Sequence, residues 1–203
     1  MARNGLRRMT IVFFTLIGSL GLSCGAYAAY LQLSGNFHPV IDGQLYRSAQ
    51  LTAEQLASYV RANGIKTIIN LRGYHPGAEW YDREVAMAKD LGIEHIDFGM
   101  SASKMISPRT AAEIVSLMAS APKPILIHCQ SGADRSGLVA ALYVKKVAGL
   151  DDYEAQGQLS FYYGHVGIPI VSSAYAMDRS WQDIQASDRK RPGAAFETSF
   201  VLR

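Results

Sequence analysis

The chain has 203 residues, 49% of them hydrophobic and 18% charged, which is enough apolar material for one packed domain and too little charge for a disordered chain. Its formal net charge of +3 comes from Arg3, Arg7 and Arg8 at the start. The remainder balances, which excludes the chain-wide basic excess expected of a nucleic-acid binder. Two cysteines exclude a disulfide framework and a cysteine-rich zinc site, and the five histidines show no paired metal-ligand spacing.

Met9 to Leu33 carries no charged residue and comes directly after the three arginines. A basic flank ahead of roughly 20 apolar residues has two readings. One is an uncleaved transmembrane anchor whose arginines stay on the cytoplasmic side. The other is a cleaved signal peptide, because Ala26-Tyr27-Ala28 before Ala29 has the small-x-small pattern. Residues 1–33 are assigned to this segment, and both readings send the rest of the chain across the membrane, into the periplasm in a bacterium.

Ser34 to Pro39 reads as a short polar linker. Gln44 to Arg47 is a first strand, and Thr52 caps a helix to about Ala62 that Asn63-Gly64 stops. Ile65 to Leu71 is a β-branched buried strand, a helix runs from about Ala78 to Leu91, and Ile93 to Phe98 is the next strand. Ser107-Pro108 starts a helix ending near Ala119, with proline at its first position. Pro124 to His128 is a short apolar strand, succeeded by helices over Ser136 to Ala148, Asp151 to Tyr163 and Ser172 to Ala186. The polar stretch 187–203, ending FVLR, is a tail. Strands alternating with helices predict an α/β domain over 34–186, with a mostly parallel central sheet flanked by helices on both faces. Ligands of such sheets bind at the carboxyl ends of the strands.

His128-Cys129-Gln130-Ser131-Gly132-Ala133-Asp134-Arg135-Ser136 falls at such an end, between a buried strand and a helix. Read physically, the loop is an anion cradle. The backbone N–H groups of Gln130 through Arg135 can point inward as a nest, and the next helix presents its positive end there. Gly132 allows a turn that a Cβ would block. Arg135 supplies a planar fork for two phosphate oxygens. These features all favour the thiolate of Cys129, the form that attacks phosphorus. Ser136 can donate to that sulfur as it leaves, and His128 orients the loop from behind.

This run resembles the HC-x5-R-S/T signature of the cysteine-dependent protein tyrosine phosphatase superfamily, and the chain is similar to its small bacterial dual-specificity-like members over Phe37 to about Ala186. The resemblance implies the α/β fold just described and a phosphomonoesterase that works through a phosphocysteine intermediate without metal or other cofactor. It also implies Cys129 as nucleophile, and the loop from Gln130 to Arg135 as the phosphate site. Leaving-group departure further needs a proton donor. Family members place an aspartic acid on the loop after the strand corresponding to Ile93 to Phe98, but here that loop reads Gly99-Met100-Ser101-Ala102-Ser103-Lys104. Two candidates remain, Asp97 at the strand end and Asp134 inside the cradle, with the option that neither serves. The Gly-x-Asp-Arg pattern around Asp134 resembles lipid-active relatives, although Ala133 stands where those carry lysine.

The substrate expected from the resemblance is phosphotyrosine, or phosphoserine and phosphothreonine, on envelope proteins. A membrane-lipid phosphate is the alternative suggested by the N-terminal segment, and an inactive phosphate-binding module is a further one. Arg72 reads as a substrate contact or a structural ion pair, and Lys104 as a solvated side chain. Phe161, Tyr162 and Tyr163 read as core packing at helical spacing, Trp80 and Trp181 as helix-face packing, and His38, His75, His95 and His165 as surface or satisfied residues.

Overall fold

The structure, a computed structural model, describes residues 2–190. A long helix α1 (Ala2–Leu33) leads into β1 (His38–Ile41) and β2 (Leu45–Ser48). Next in order come α2 (Ala53–Asn63), β3 (Thr67–Asn70), α3 (Glu79–Asp90), β4 (Glu94–Asp97), α4 (Pro108–Ser120), β5 (Ile125–His128), α5 (Asp134–Leu142), α6 (Asp152–Gly157) and α7 (Tyr175–Lys190). The sheet order is β1-β2-β5-β3-β4, parallel except for β1, which runs antiparallel to β2 at one edge.

Side chains alternate across the sheet, as the two-residue period of a strand requires. Ile69, Ile125 and Ile127 face one way and pack with Ile114 and Met118 of α4, Leu138 to Leu142 of α5 and Trp181 of α7. Tyr46, Ile68 and Leu126 face the other way, onto Leu56 and Val60 of α2 and Ala88 of α3. α2 begins at a reciprocal capping box between Thr52 and Gln55 and stops at Gly64 in the left-handed conformation. Ser107 caps α4, with Pro108 at its first position.

The structure corrects the expected chain path at four places. The supposed polar linker is built in: Asn36 is buried, and His38-Pro39 opens β1. α5 starts two residues earlier than Ser136 and continues through a π-helical turn, Tyr143–Val147. The single helix expected over Asp151 to Tyr163 breaks after Gly157, and Phe161–Tyr163 forms a separate 3-10 turn. The physical reason is that Arg47 takes the carbonyl of Gln158, with Nη1 at 2.8 Å, and turns the chain aside. α7 runs on through Lys190, past the point where the tail was expected, and Lys146 pairs with Asp188 in its last turns. The FVLR terminus lies outside the described residues.

α1 is long and apolar enough over Arg7–Leu33 to cross a membrane. Its outer residues touch little of the domain, whereas Leu31 near its end is buried.

Candidate active site

The parallel register brings four strand ends into one row: Ser48 lies beside His128, His128 beside Asn70 and Asn70 beside Asp97. The cradle 129–133 leaves β5 from the middle of that row and enters α5. Every residue of α5 from Ser136 to Leu142 is buried, so the helix is held end-on to the cradle as the central helix of its layer.

Cys129 forms the floor of the cradle, with 1% of its surface exposed. Above it, four successive carbonyls are tied outward. The Gln130 carbonyl accepts from the Gln50 N–H (3.2 Å) and the Ser131 carbonyl from Asn36 Nδ2 (2.9 Å). The Gly132 and Ala133 carbonyls both accept from Arg47 Nη2, at 2.8 and 2.9 Å. In a planar peptide the N–H of the next residue points opposite to the carbonyl, so the N–H groups of Ser131, Gly132, Ala133 and Asp134 turn inward. Gly132 sits at φ +73°, and a Cβ there would lie 2.6 Å from the Ala49 nitrogen.

Arg47 does this from the interior. It is fully buried, it stacks on Tyr163 at 3.9 Å, and burial lowers its pKa to about 10, still well above neutrality. Arg135, by contrast, has only long contacts to the carbonyls of Met100 and Leu71, at 3.3 and 3.4 Å. Arg135 Nε and Ser136 Oγ are buried without a protein partner, and both belong to the cradle. Arg72 is nearby: it stacks on Trp80 at 3.5 Å and donates to Gln50. Burial and the positive charge of Arg135 hold Arg72 below the ordinary arginine value, so the two guanidiniums add to one positive field.

Behind the cradle lies a buried acid. Glu84 of α3 accepts from His128 Nε2 (3.0 Å) and His95 Nε2 (2.9 Å) on one oxygen and from Gln50 (2.6 Å) on the other. Burial alone would raise its pKa, but the His128 charge and the hydrogen bonds of His128, His95 and Gln50 bring it down to about 2. Gln50 also donates its backbone N–H to the cradle, so β5, α3 and the turn after β2 are locked together.

The two candidate acids occupy different settings. Both oxygens of Asp97 are engaged, Oδ1 by Asn70 Nδ2 (2.8 Å) and Oδ2 by the Tyr81 hydroxyl (2.6 Å). Asn70 in turn closes the turn to Gly73, so Asp97 braces that turn. Asp134 is the first residue of α5 and is partly exposed at the rim of the cradle. Its Oδ1 accepts from His165 Nδ1 at 2.7 Å, and His165 Nε2 donates to Asp178 of α7 at 2.9 Å. Burial would lower the pKa of His165, but the two carboxylates outweigh it and the net shift is upward.

The residues after His128 form a strand-to-helix loop between β5 and α5, and the side chains that hold it carry no local signal in the sequence. In the sequence Arg47 is a strand residue, Asn36 lies in an expected linker, Glu84 sits within a helix and His165 is one of several scattered histidines. Their separations from the cradle, 31 to 95 residues for the bonds of His165 and Asn36, leave no local pattern to find. The aromatic trio departs from the core packing expected of it. Phe161 and Tyr162 are about half exposed, and of the three Tyr163 alone meets Arg47.

The family model described as a DSP-PTPase phosphatase fused to NAD+ kinase matches residues 36–168. No curated protein sequence matches the chain. Among solved structures, P. aeruginosa TpbA in complex with pTyr aligns with a TM-score of 0.61 at 18% identity, covering 79% of this chain and 92% of that one. The core catalytic domain of the S. cerevisiae PP-IP phosphatase SIW14 gives 0.55 at 20% identity, over 76% of this chain and 93% of its own. PTPMT1 gives 0.51 at 14% identity, over 76% and 99%. At such identities the likeness is one of fold. The family match, however, spans most of the chain and takes in β1 to β5 with the whole Cys129–Arg135 cradle. The chain therefore belongs to the DSP-PTPase family of the cysteine-dependent phosphatases, and is a tyrosine/dual-specificity phosphatase-like hydrolase.

Proposed function

We propose that this chain is a membrane-anchored phosphomonoesterase working through a phosphocysteine intermediate, with α1 as an uncleaved anchor and the catalytic domain on the periplasmic side. The observation that carries the catalytic reading is the row of four outward-tied carbonyls, which leaves inward N–H groups and Arg135 around Cys129. Cys129 Sγ, as thiolate, attacks phosphorus, and the bond from phosphorus to the leaving oxygen breaks. Arg135 and the inward N–H groups hold the three equatorial oxygens as their charge develops. Asp134 gives its proton to the leaving oxygen. Water then attacks the phosphocysteine, Asp134 takes a proton from it, and the sulfur departs as thiolate with a hydrogen bond from Ser136.

Asp134 is assigned the acid role over Asp97 because both oxygens of Asp97 are already engaged within the β3–β4 edge. His165 engages only Oδ1 of Asp134, and Oδ2 is the oxygen we assign to the leaving group. His128, held by Glu84, orients the start of the loop.

The proposed substrate is phosphotyrosine, or phosphoserine and phosphothreonine, on envelope proteins; the fold likeness to TpbA, solved with pTyr, supports it. A membrane-lipid phosphate is the second reading, favoured by the acid lying inside the cradle. Phosphate release from a phosphotyrosine peptide and from an anionic phospholipid phosphate by the full chain, each corrected with Cys129→Ser, tests both. Peptide turnover well above lipid supports the first, the reverse supports the second, and release that persists in Cys129→Ser overturns the phosphocysteine mechanism.

A further inference from the structure

Between Glu154 and Asp178 the chain has no Asp, Glu, Lys or Arg. Much of that stretch is nevertheless on the surface. Among the described residues, eleven large hydrophobics outside α1 are exposed, and six of them fall between 161 and 171: Phe161, Tyr162, Val166, Ile168, Ile170 and Val171. Exposed apolar residues scattered singly need no explanation, but a concentration like this one does. Ile170 adds backbone strain, since it is fully exposed at φ +68°, a conformation unfavourable for a β-branched residue.

What covers the segment is indicated by what adjoins it. The Tyr27 hydroxyl of α1 donates to the Tyr162 carbonyl at 2.6 Å, the rings of Tyr27 and Phe161 lie 5.7 Å apart, and Gly164 packs near Leu31. The start of this segment thus adjoins the uncharged stretch Met9–Leu33 of α1. Counting ~20 residues from Met9 for a bilayer core places its far boundary near Ala28, between Tyr27 and Tyr30. Phe161 and Tyr162 join those two tyrosines at that level, and such a ring of aromatics is what a membrane–water interface favours.

From these contacts we infer that the segment Phe161 to Val171 is a second membrane contact, resting on the lipid headgroup boundary beside the end of α1. The inference rests on the anchor reading of α1 given above. Its consequence for the site is direct. The same segment holds the cradle through His165 on Asp134, while Asn36 bridges the Tyr163 and Ser131 carbonyls. The rim of the cradle is therefore carried close to the bilayer surface.

The test uses the full chain in vesicles of phosphatidylethanolamine and phosphatidylglycerol, with and without brominated acyl chains that quench tryptophan fluorescence. Val171→Trp reports the segment and Leu16→Trp reports the middle of α1. Tyr153→Trp, an exposed position on α6 next to Asp152, which pairs with Lys145 past the end of α5, is the exposed control. Signal from Trp80 and Trp181 is subtracted using the unsubstituted chain. Strong quenching at Leu16→Trp and Val171→Trp, at least ~2-fold above Tyr153→Trp, is expected for a side chain at the interface. Quenching at Leu16→Trp with none at Val171→Trp overturns the second contact and leaves the anchor standing, so that a protein partner would cover the patch. Equal quenching at Val171→Trp and Tyr153→Trp overturns it as well, because the domain then touches lipid without orientation. No quenching at Leu16→Trp overturns the anchor reading itself, and the second contact with it.

Discussion

Asp134 and Gly132 are the two cradle positions where a single atom decides the outcome. Asp134 has a carboxyl group at the rim, one oxygen of which is fixed by His165. If it is the acid, Asp134→Asn lowers turnover of an alkyl phosphate by ~100-fold or more, because an alkoxide is a poor leaving group without a proton. Turnover of p-nitrophenyl phosphate, whose leaving group barely needs protonation, stays within about 3-fold. Steady-state rates on the two substrates check this, and equal losses on both would remove the acid role. For Gly132, a methyl group meets the Ser48–Ala49 backbone while φ is +73°. Gly132→Ala therefore costs roughly 2 kcal/mol of stability or more and distorts the inward N–H groups. Urea unfolding and phosphate affinity both report it; an unaltered variant would show that the turn can relax.

At the scale of elements, the site depends on β2 gripping the loop that leaves β5. Arg47 sends its fork through the layer to the carbonyls of Gly132, Ala133 and Gln158 and rests on Tyr163. One side chain therefore sets the cradle, breaks the helix after Gly157 and seats the 3-10 turn. Arg47→Met keeps much of the volume but leaves buried carbonyls without a donor, at about 1–3 kcal/mol each. The expected result is a loss of several kcal/mol by urea unfolding and a fall in phosphate binding larger than an exposed Arg→Met change produces. Little change in either would mean that backbone bonds alone hold the loop. The strand expected over Gln44 to Arg47 is β2, Leu45–Ser48, one residue along. The destination of its arginine was not legible, since the partners lie 85 to 111 residues away.

For the molecule as a whole, two buried ionisable groups of opposite sign, Glu84 and His165, set the pH range of stability. Glu84 has its pKa lowered from 4.5 to about 2 in the folded state. Its contribution is present above 4.5 and is lost as pH falls toward 2; it amounts to something on the order of 3 kcal/mol. His165 has its pKa raised above 6.5. Its contribution is complete below 6.5 and is lost as pH rises through the folded value. Stability should therefore be greatest between about 4.5 and 6.5 and decline on both sides. Thermal unfolding across pH checks this, with His165→Gln expected to flatten the alkaline side only. A decline on the alkaline side that survives in His165→Gln would place its origin elsewhere.

Most strands and helices, and the expectation of a phosphate-binding loop, are legible along the chain because they depend on neighbouring residues. Strand and helix periods, the Thr52 and Ser107 caps and the unbroken run from His128 to Ser136 are all local, so they can be read in order. The apolar length of α1 is of the same kind. Tertiary structure alone decided what surrounds the cradle: the buried Arg47, the Glu84 cluster, the His165 bridge from Asp134 to Asp178, and the engagement of both Asp97 oxygens. Those contacts join residues far apart in the chain, and burial makes them strong because an unpaired charge or carbonyl there has no water to turn to. No pattern of spacing announces them, since the sheet and not the sequence sets their distance.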